Sequence, residues 1–340
     1  MVIMKTIYIT GISGFLGNNL AIKLLEEKDI QIIGLILPGE NVSNILKDER
    51  IKLVEGNILN RGDIDSFLSR PSIGDKYLIH AAGKISVFKR GDPLTISINV
   101  DGTKNVIDSA LDKNFKKVIY VSSVDSLPLQ KGNDFIYEPE LYDIEKVHGV
   151  YSKSKVLANN VVLNAYKNHG LDASIVCPSA IMGPNDPFHA PINLAIKRFL
   201  NGKLPAITKG GYNIVDARDV AAGIISALTK SKAGESYLLT GEYISVKDLI
   251  GLAAEVSNKK PVTFKVPHFL IKIASPFIQL NAKIKHKSPL FTGFSMDCLM
   301  QNSNYSFDKA KKELDYQPMS IKQSMIDTIK WMEESDYLKK

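Results

Sequence analysis

Tyr151 and Lys155 stand four residues apart in Tyr151-Ser-Lys-Ser-Lys155. That spacing puts a phenol and an ammonium on one face of a helix. A nearby cation favours the phenolate and lowers a pKa that is about 10 when unperturbed, each unit being worth about 1.4 kcal/mol. A tyrosine tuned in this way exchanges a proton with an alcohol or a carbonyl near neutral pH. Many helices carry the pattern by chance. In this chain two other features precede it: a glycine-rich turn near the start, and the pair Ser122-Ser123.

The glycine turn has a definite setting. Ile3 to Ile9 is an apolar, β-branched run that reads as a buried strand. Thr10-Gly11-Ile-Ser13-Gly14-Phe15-Leu16-Gly17 follows, and Asn18 to Lys28 then carries apolar residues at Leu20, Ile22, Leu24 and Leu25, as a helix would. Strand, glycine turn and helix together form a cradle for a dinucleotide: the glycines allow a tight turn and a close approach to a pyrophosphate, and the helix N-terminus favours the anion. The spacing Gly-x-x-Gly-x-x-Gly departs from the commonest fingerprint, and an ordinary βα turn is the alternative. The setting favours cofactor binding by Gly11, Ser13, Gly14, Phe15, Leu16 and Gly17.

Val118 to Val121 reads as another buried strand, with Ser122 and Ser123 at its carboxyl end, where open α/β sheets bind ligands. A serine hydroxyl there can polarise a substrate carbonyl beside the tyrosine. Without Tyr151 downstream, the serines would only cap the strand. Val150, Ser154, Leu157, Val161 and Ala165 give the helix carrying Tyr151 a packed face.

These residues need a scaffold, and the strand pattern supplies one. Runs at Gln31–Leu37, Lys52–Glu55, Tyr77–His80, Lys117–Val121 and Ala173–Cys177 alternate with helices, which predicts βαβ units: an α/β fold with a Rossmann-type, doubly wound parallel sheet. We expect residues 1–177 to form the dinucleotide-binding domain, with 212–232 returning to it. A smaller α+β substrate domain would take 178–211 and 233–340. Asp216 to Thr229 reads as a helix, with Asp219 supporting its start. The apolar stretch Phe269 to Leu280, broken by Lys272 and Pro276, reads as a helix over a pocket.

Composition narrows the function. The 340 residues hold two cysteines, Cys177 and Cys298, far apart and without a Cys-x-x-Cys, which suits a reducing cytoplasm and predicts no metal site. No apolar run spans a bilayer, and the immediate first strand leaves no room for a signal peptide. The net charge of +7 is scattered in pairs such as Lys116-Lys117, which reads as a solvated surface and excludes a nucleic-acid stripe. His80 ends a strand and packs there. His148 lies one turn before Tyr151, where an ordinary helix-start role outweighs a pocket role.

Taken in order, the pieces resemble an extended short-chain dehydrogenase/reductase of the NAD-dependent epimerase/dehydratase superfamily. The similar branch holds dihydroflavonol reductases, cinnamoyl-CoA reductases and 3β-hydroxysteroid dehydrogenases. The matching pieces are Thr10 to Gly17, His80-Ala81-Ala82-Gly83, Asn99 to Thr103, Val121-Ser-Ser123, Tyr151 to Lys155, Pro178-Ser179 with Gly183-Pro184, and Val215 to Val220. After about Lys260 the match is loose.

The resemblance implies roles. Ser123 would be the catalytic serine, with Ser122 structural or near the nicotinamide and Ser126 in reserve. Tyr151 would be general acid for reduction and base for oxidation. Lys155 would lower the phenol pKa and hold the nicotinamide ribose, and Ala81, Ala82, Gly83 and Pro178 would line the dinucleotide. At the adenosine end, Leu37 stands where NAD enzymes place an acid and no arginine follows, so both cofactors stay open with NADP preferred; amides after Gly39 or Lys47 would help to hold the phosphate. Asn57-Ile58 stands where the family places an Asp-hydrophobic pair beside adenine, and the Asn can still hydrogen-bond an adenine edge.

Three departures point to simple hydride transfer. Ala180 stands where epimerases carry an amide for the substrate diphosphate. Val124 and Asp125 replace the dehydratase acid pair. Pro178-Ser179 is similar to the reductase branch. The expected enzyme reduces an aldehyde or ketone, or oxidises the alcohol, in a pocket lined by Lys84–Phe88, Leu127–Leu129, Met182–His189 and the stretch near Phe269–Phe277. A nucleotide-sugar epimerase, anchoring the diphosphate by Lys197, Arg198 or Arg218, and a non-catalytic dinucleotide-binding protein are the alternatives. A homodimer is common in the superfamily.

Overall fold

The computed structural model describes residues 4–86, 88–128, 130, 132, 134–267 and 293–339. The expected helix near Phe269–Phe277 and pocket residue Leu129 lie outside the described residues. In chain order, β1 (Lys5–Thr10) leads into α1 (Phe15–Leu24), β2 (Ile30–Ile36), β3 (Ile51–Glu55), α2 (Arg61–Leu68) and β4 (Asp75–His80). A short α3 (Pro93–Ile96) runs through a π-turn into α4 (Gly102–Ala110), followed by β5 (Lys117–Val121), α5 (Val150–His169) and β6 (Ala173–Pro178). The rest comprises β7 (Ala180–Met182), α6 (Pro191–Leu200), β8 (Gly211–Asp216), α7 (Ala217–Lys230), β9 (Ser236–Leu239), β10 (Glu242–Ser245), α8 (Val246–Val256) and late helices that include Asp308–Leu314 and Ile321–Glu334.

Seven parallel strands form the central sheet in the order β3-β2-β1-β4-β5-β6-β9. Helices cover both faces, so the inner strands are apolar along their whole length rather than alternating. One face buries Ile64, Val106, Ile107, Val156 and Val162 from α2, α4 and α5. The other buries Leu20, Leu24, Ile224 and Ala227 from α1 and α7, with Ala310 and Leu314 of the Asp308–Leu314 helix. Strand order reverses between β1 and β4, and the crevice beyond their carboxyl ends is the ligand site of such sheets. A second sheet, β10-β8-β7, packs with α6, α8 and Ile321–Glu334 around Met182, Ile196, Ile214, Leu249 and Met325.

Two expectations need correction. Residues from 233 on were assigned to the substrate part, yet β9 pairs with β6 in the central sheet and Ala310 and Leu314 pack on its face. This return rests on pairing between segments some sixty residues apart, which no local pattern announces. In addition, Met182 and Leu127, expected in the pocket, are 0% and 2% exposed and pack in the hydrophobic cores. Apolar character alone does not separate the two.

Asp216 caps α7 by accepting from the Arg218 amide at 2.8 Å, and Arg218 pairs with Asp216 at 2.9 Å and Asp327 at 2.8 Å. Asp219, partly buried in the first turn, accepts from the Met319 amide at 2.8 Å. Burial first, and then the Asp216 charge, push its carboxyl up to about 6, against the pull of Met319 and Arg218. An acid whose pKa is raised on folding favours the folded state below its unfolded value, and that stability is lost as pH rises through about 6. Asp219→Asn keeps an acceptor for Met319 and removes the charge. Its melting temperature is expected to match the parent near pH 4.5 and exceed it near pH 7.5 in thermal melts; equal melting at both values refutes this account.

Candidate active site

The glycine turn after β1 is built for close approach. Gly11 has φ +75°, and a Cβ on it would lie 2.7 Å from the Ala82 nitrogen. At Gly17 a Cβ would lie 2.2 Å from the Gly11 oxygen. The Ala81 amide donates to the Thr10 carbonyl at 3.1 Å and the Ala82 amide to Thr10 Oγ1 at 3.3 Å, so the ends of β1 and β4 are joined. No side chain caps Gly14 at the start of α1, which leaves first-turn amides facing the crevice for an anion. Ser13, Phe15 and Leu16 are partly exposed around this turn. The backbone cradle, the bare helix start and the lack of side chains in the way fit a pyrophosphate.

His80 is fully buried between Thr10 (2.6 Å to Nδ1) and Thr103 (3.0 Å to Nε2), beside the Tyr120 ring. Thr103 donates its own hydroxyl to the Asn99 carbonyl, so Nε2–H donates to Thr103 and Nδ1 accepts from Thr10. Burial and the Lys155 charge bring its pKa down to about 3, so it is a neutral strut. Sequence reading quoted Asn99 only as part of a motif. Its amide bridges the Lys84 backbone (2.7 and 2.9 Å) to Ser154 Oγ (2.9 Å), from the π-turn Ser97–Asp101, and so ties the β4 crevice to α5.

At the end of β5, the Ser123 hydroxyl stands near the Tyr151 phenol and pulls its pKa down. Ser123 is also 3.1 Å from Asp125 Oδ2 and accepts from the Asp125 amide at 3.2 Å. Ser126 is fully buried, donates to the Ser123 carbonyl at 2.7 Å and accepts from Asn159 at 3.0 Å, so it props the turn. Ser122 faces Ser126 from the buried side. Gly149, at φ +92°, turns the chain into α5 and sets Tyr151 in its first turn.

Lys155 is 4% exposed and donates to the Val121 carbonyl at 2.8 Å and to the Tyr120 hydroxyl at 3.2 Å. A Cβ on Gly83 would lie 3.5 Å from its Nζ, so β4, β5 and α5 converge on one point. The expected lowering of the Tyr151 pKa by Lys155 is not what the surroundings produce. Burial first, and then the Asp125 charge, hold the phenol well above its ordinary value, and only the nearby Ser123 hydroxyl opposes them. Burial in turn brings the Lys155 ammonium down to about 8. The Lys155 ammonium is turned to the Val121 carbonyl and the Tyr120 hydroxyl instead.

Other expected residues fall around this point. Pro178 is buried at the end of β6, beside Ser179, whose buried hydroxyl has no partner among the described residues. Leu37 is 53% exposed at the tip of β2. Sequence reading found no acid there, but the turn brings two: Glu40 accepts from the Leu37 amide at 2.9 Å and Glu55 from the Gly39 amide at 3.2 Å. Asn57 spends its carbonyl on the Leu59 amide at 2.9 Å, and Ile58 packs against Gly102. Lys84 is bound to Asp92 at 2.9 Å rather than free in the pocket. His148 is exposed in the wall of a hollow of about 620 Å³ with Pro128, Gln130 and Met300. Of the anchors considered for a diphosphate, Arg218 is engaged by two carboxylates, and the Lys197 Nζ lies 5.0 Å from the Tyr337 ring centre. Among the described residues no cluster of three acids, histidines or cysteines could hold a metal, and no helix is long and apolar enough to cross a membrane.

Residues 7–240 match the model of the NAD dependent epimerase/dehydratase family. A putative dihydroflavonol 4-reductase from Synechocystis sp. is 30% identical over 98% of this chain and 96% of its own length. Cinnamoyl-CoA reductase 1 from Oryza sativa subsp. japonica is 23% identical over 85% of this chain and 86% of its own. Among solved structures, gox2253 is 29% identical with a TM-score of 0.82, covering 98% of this chain and 99% of that one. UDP-glucuronic acid 4-epimerase from Bacillus cereus, solved with NAD, shares the fold at 18% identity and a TM-score of 0.74, over 97% of this chain and 96% of its own.

Proposed function

Because the chain belongs to the NAD dependent epimerase/dehydratase family and is an enzyme, we propose that it is an oxidoreductase that interconverts a carbonyl and an alcohol. The observation that carries this reading is the convergence of Ser123 at the end of β5, Tyr151 in the first turn of α5 and Lys155 one turn further along, with the glycine cradle beside them. In this reading Gly11, Ser13, Gly14, Phe15, Leu16 and Gly17 hold the pyrophosphate, while Ala81, Ala82, Gly83 and Pro178 line the nicotinamide half. The dinucleotide, when bound, supplies or accepts the hydride. Ser123 donates a hydrogen bond to the substrate oxygen. Tyr151, kept protonated by its surroundings, delivers the proton to that oxygen on reduction. Lys155 holds the ribose side of the cofactor. Residues 178–211 and the β10–α8 region shape the substrate pocket. The reductase names of two relatives agree with this. The epimerase reading needs a diphosphate anchor: Ala180 offers no amide, Arg218 is engaged by two carboxylates and Lys197 packs on Tyr337, which leaves Arg198 of the three basic candidates. The test follows nicotinamide absorbance with NADH or NADPH and a panel of aldehydes and ketones. Oxidation that vanishes in Tyr151→Phe supports the reading; retained NAD released from the purified protein, with no oxidation across the panel, turns it toward an epimerase.

Within this reading we favour NAD over the NADP preferred from sequence. The carboxylates of Glu40 and Glu55 sit on the backbone amides that would otherwise receive a 2′-phosphate, and like charge repels it. Glu40 can instead accept from ribose hydroxyls, the role of an acid at this place. The parent protein is expected to use NADH at least about tenfold better than NADPH in kcat/KM, and Glu40→Ser to narrow that ratio by about tenfold, as loss of roughly one charge contact implies. A parent that prefers NADPH refutes this.

A further inference from the structure

We propose that Asp125 determines substrate specificity: it selects carbonyl compounds carrying a hydroxyl or ammonium donor on the carbon next to the carbonyl, and rejects those carrying an anion there. This rests on the oxidoreductase reading above. Asp125 follows the catalytic serine by two residues, in the short 3₁₀ turn Val124–Ser126. Its side chain reaches the surface, while desolvation by the elements around it raises the carboxyl above the ordinary carboxylate range, against the pull of the Ser123 hydrogen bond. Oδ2 holds the Ser123 hydroxyl at 3.1 Å. Among the described residues Oδ1 has no donor and the carboxylate has no ion pair.

Hydrogen counting then makes the inference. Ser123 has one hydroxyl hydrogen, and without substrate it is given to Asp125. To polarise a substrate carbonyl, Ser123 must turn that hydrogen away. Asp125 then faces the substrate with neither oxygen satisfied by a side chain. The surroundings are poor replacements for water: they desolvate the Asp125 carboxyl, and its charge in turn raises the phenols of Tyr151, Tyr212 and Tyr305. A donor on the neighbouring substrate carbon restores the lost hydrogen bond as the carbonyl takes it. A methyl group leaves the carboxylate unpaired, and a carboxylate or phosphate adds repulsion. The same hydrogen bond would be made at the alcohol stage, so Asp125 acts on binding more than on the chemical step.

The test separates binding from turnover. Hydroxyacetophenone (2-hydroxy), propiophenone and phenylglyoxylate differ mainly in the group beside the ketone: hydroxyl, methyl and anion. Each is titrated by calorimetry into the parent protein and into Asp125→Asn and Asp125→Leu, all saturated with NAD⁺, so that no ketone can be reduced, with absorbance at the nicotinamide band confirming that the hydroxy ketone is not oxidised during the titration. Circular dichroism confirms that the exposed substitutions leave the fold intact. The parent is expected to bind the hydroxy ketone about tenfold tighter than propiophenone, with phenylglyoxylate weakest. Asp125→Asn should gain most for phenylglyoxylate, about tenfold, and Asp125→Leu should bind propiophenone best. An unchanged order across the three proteins, or no binding of the hydroxy ketone to the parent, overturns the proposal. Reduced nicotinamide with the same ketones then tests the reading beneath it. Binding in the expected order without oxidation leaves Asp125 standing and sinks the oxidoreductase reading, whereas oxidation without preference does the reverse.

Discussion

Tyr151→Phe is expected to lower kcat for carbonyl reduction by about 10³-fold while leaving dinucleotide affinity within about twofold of the parent. The substitution removes one oxygen from a partly buried residue in the first turn of α5. The packed face of that helix, with Val156, Ala158 and Val162, is untouched, and so is the glycine cradle. What disappears is the proton donor beside Ser123. An interaction used mainly in the transition state shows as lost kcat with little change in KM. The pH profile carries a second expectation. A general acid works while protonated, below its pKa, and burial with the Asp125 charge keeps this phenol well above its ordinary value. Reduction should therefore show no falling limb from Tyr151 between pH 6 and about 9, whereas oxidation, which needs the phenolate, should climb across the whole range. Stopped-flow absorbance in both directions measures this. A Tyr151→Phe protein within tenfold of the parent would remove Tyr151 from the proton path.

The parts of this site that are legible in sequence are those fixed over a few residues. Tyr151 and Lys155 share a helix turn, and Gly11, Gly14 and Gly17 share one βα connection, so spacing alone brings them together. The seven-stranded sheet is legible for the same reason up to β6, because each strand lies beside one already read. The rest depends on contacts across the chain. Glu40 lies outside its strand, and only the turn at Gly39, with φ +69°, folds its carboxylate back onto the Leu37 amide. Asp125 enters the sequence reading as half of a missing acid pair, and its bond to Ser123 follows from the tight turn Val124–Ser126 rather than from a motif. Met182 and Leu127 look like pocket walls in sequence because apolar residues serve both cores and pockets. The electrostatics are the least legible, since the field that Lys155 exerts depends on how thoroughly it is buried.

That burial makes Lys155 a strained residue kept for function, with a measurable consequence. In the unfolded chain a lysine titrates near 10.5, and in the folded chain burial brings Lys155 down to about 8. The folded state thus binds fewer protons between these values, so stability rises with pH across the window from about 8 to 10.5. Conversely, as pH falls through about 8 the folded protein must carry a buried charge, at a cost of about 3 kcal/mol by pH 7 for a difference of this size. The hydrogen bonds to Val121 and Tyr120 recover part of it, about 1 kcal/mol each. Lys155→Met keeps the length of the side chain and removes the charge. Without cofactor it is expected to melt a few degrees higher than the parent at pH 7, and to lose the rise in stability between pH 8 and 9.5. Its kcat should fall about 10²-fold or more, because no cation is left to hold the ribose side or to meet charge developing on Tyr151. Ordinary core lysines at the end of a strand would not behave so: removing a purely structural one lowers stability and spares the chemistry. Thermal melts across pH 6.5 to 9.5, set beside kcat for the same two proteins, distinguish these cases. A Lys155→Met protein that is less stable at pH 7 and still active would show that the buried ammonium serves the fold and not the reaction.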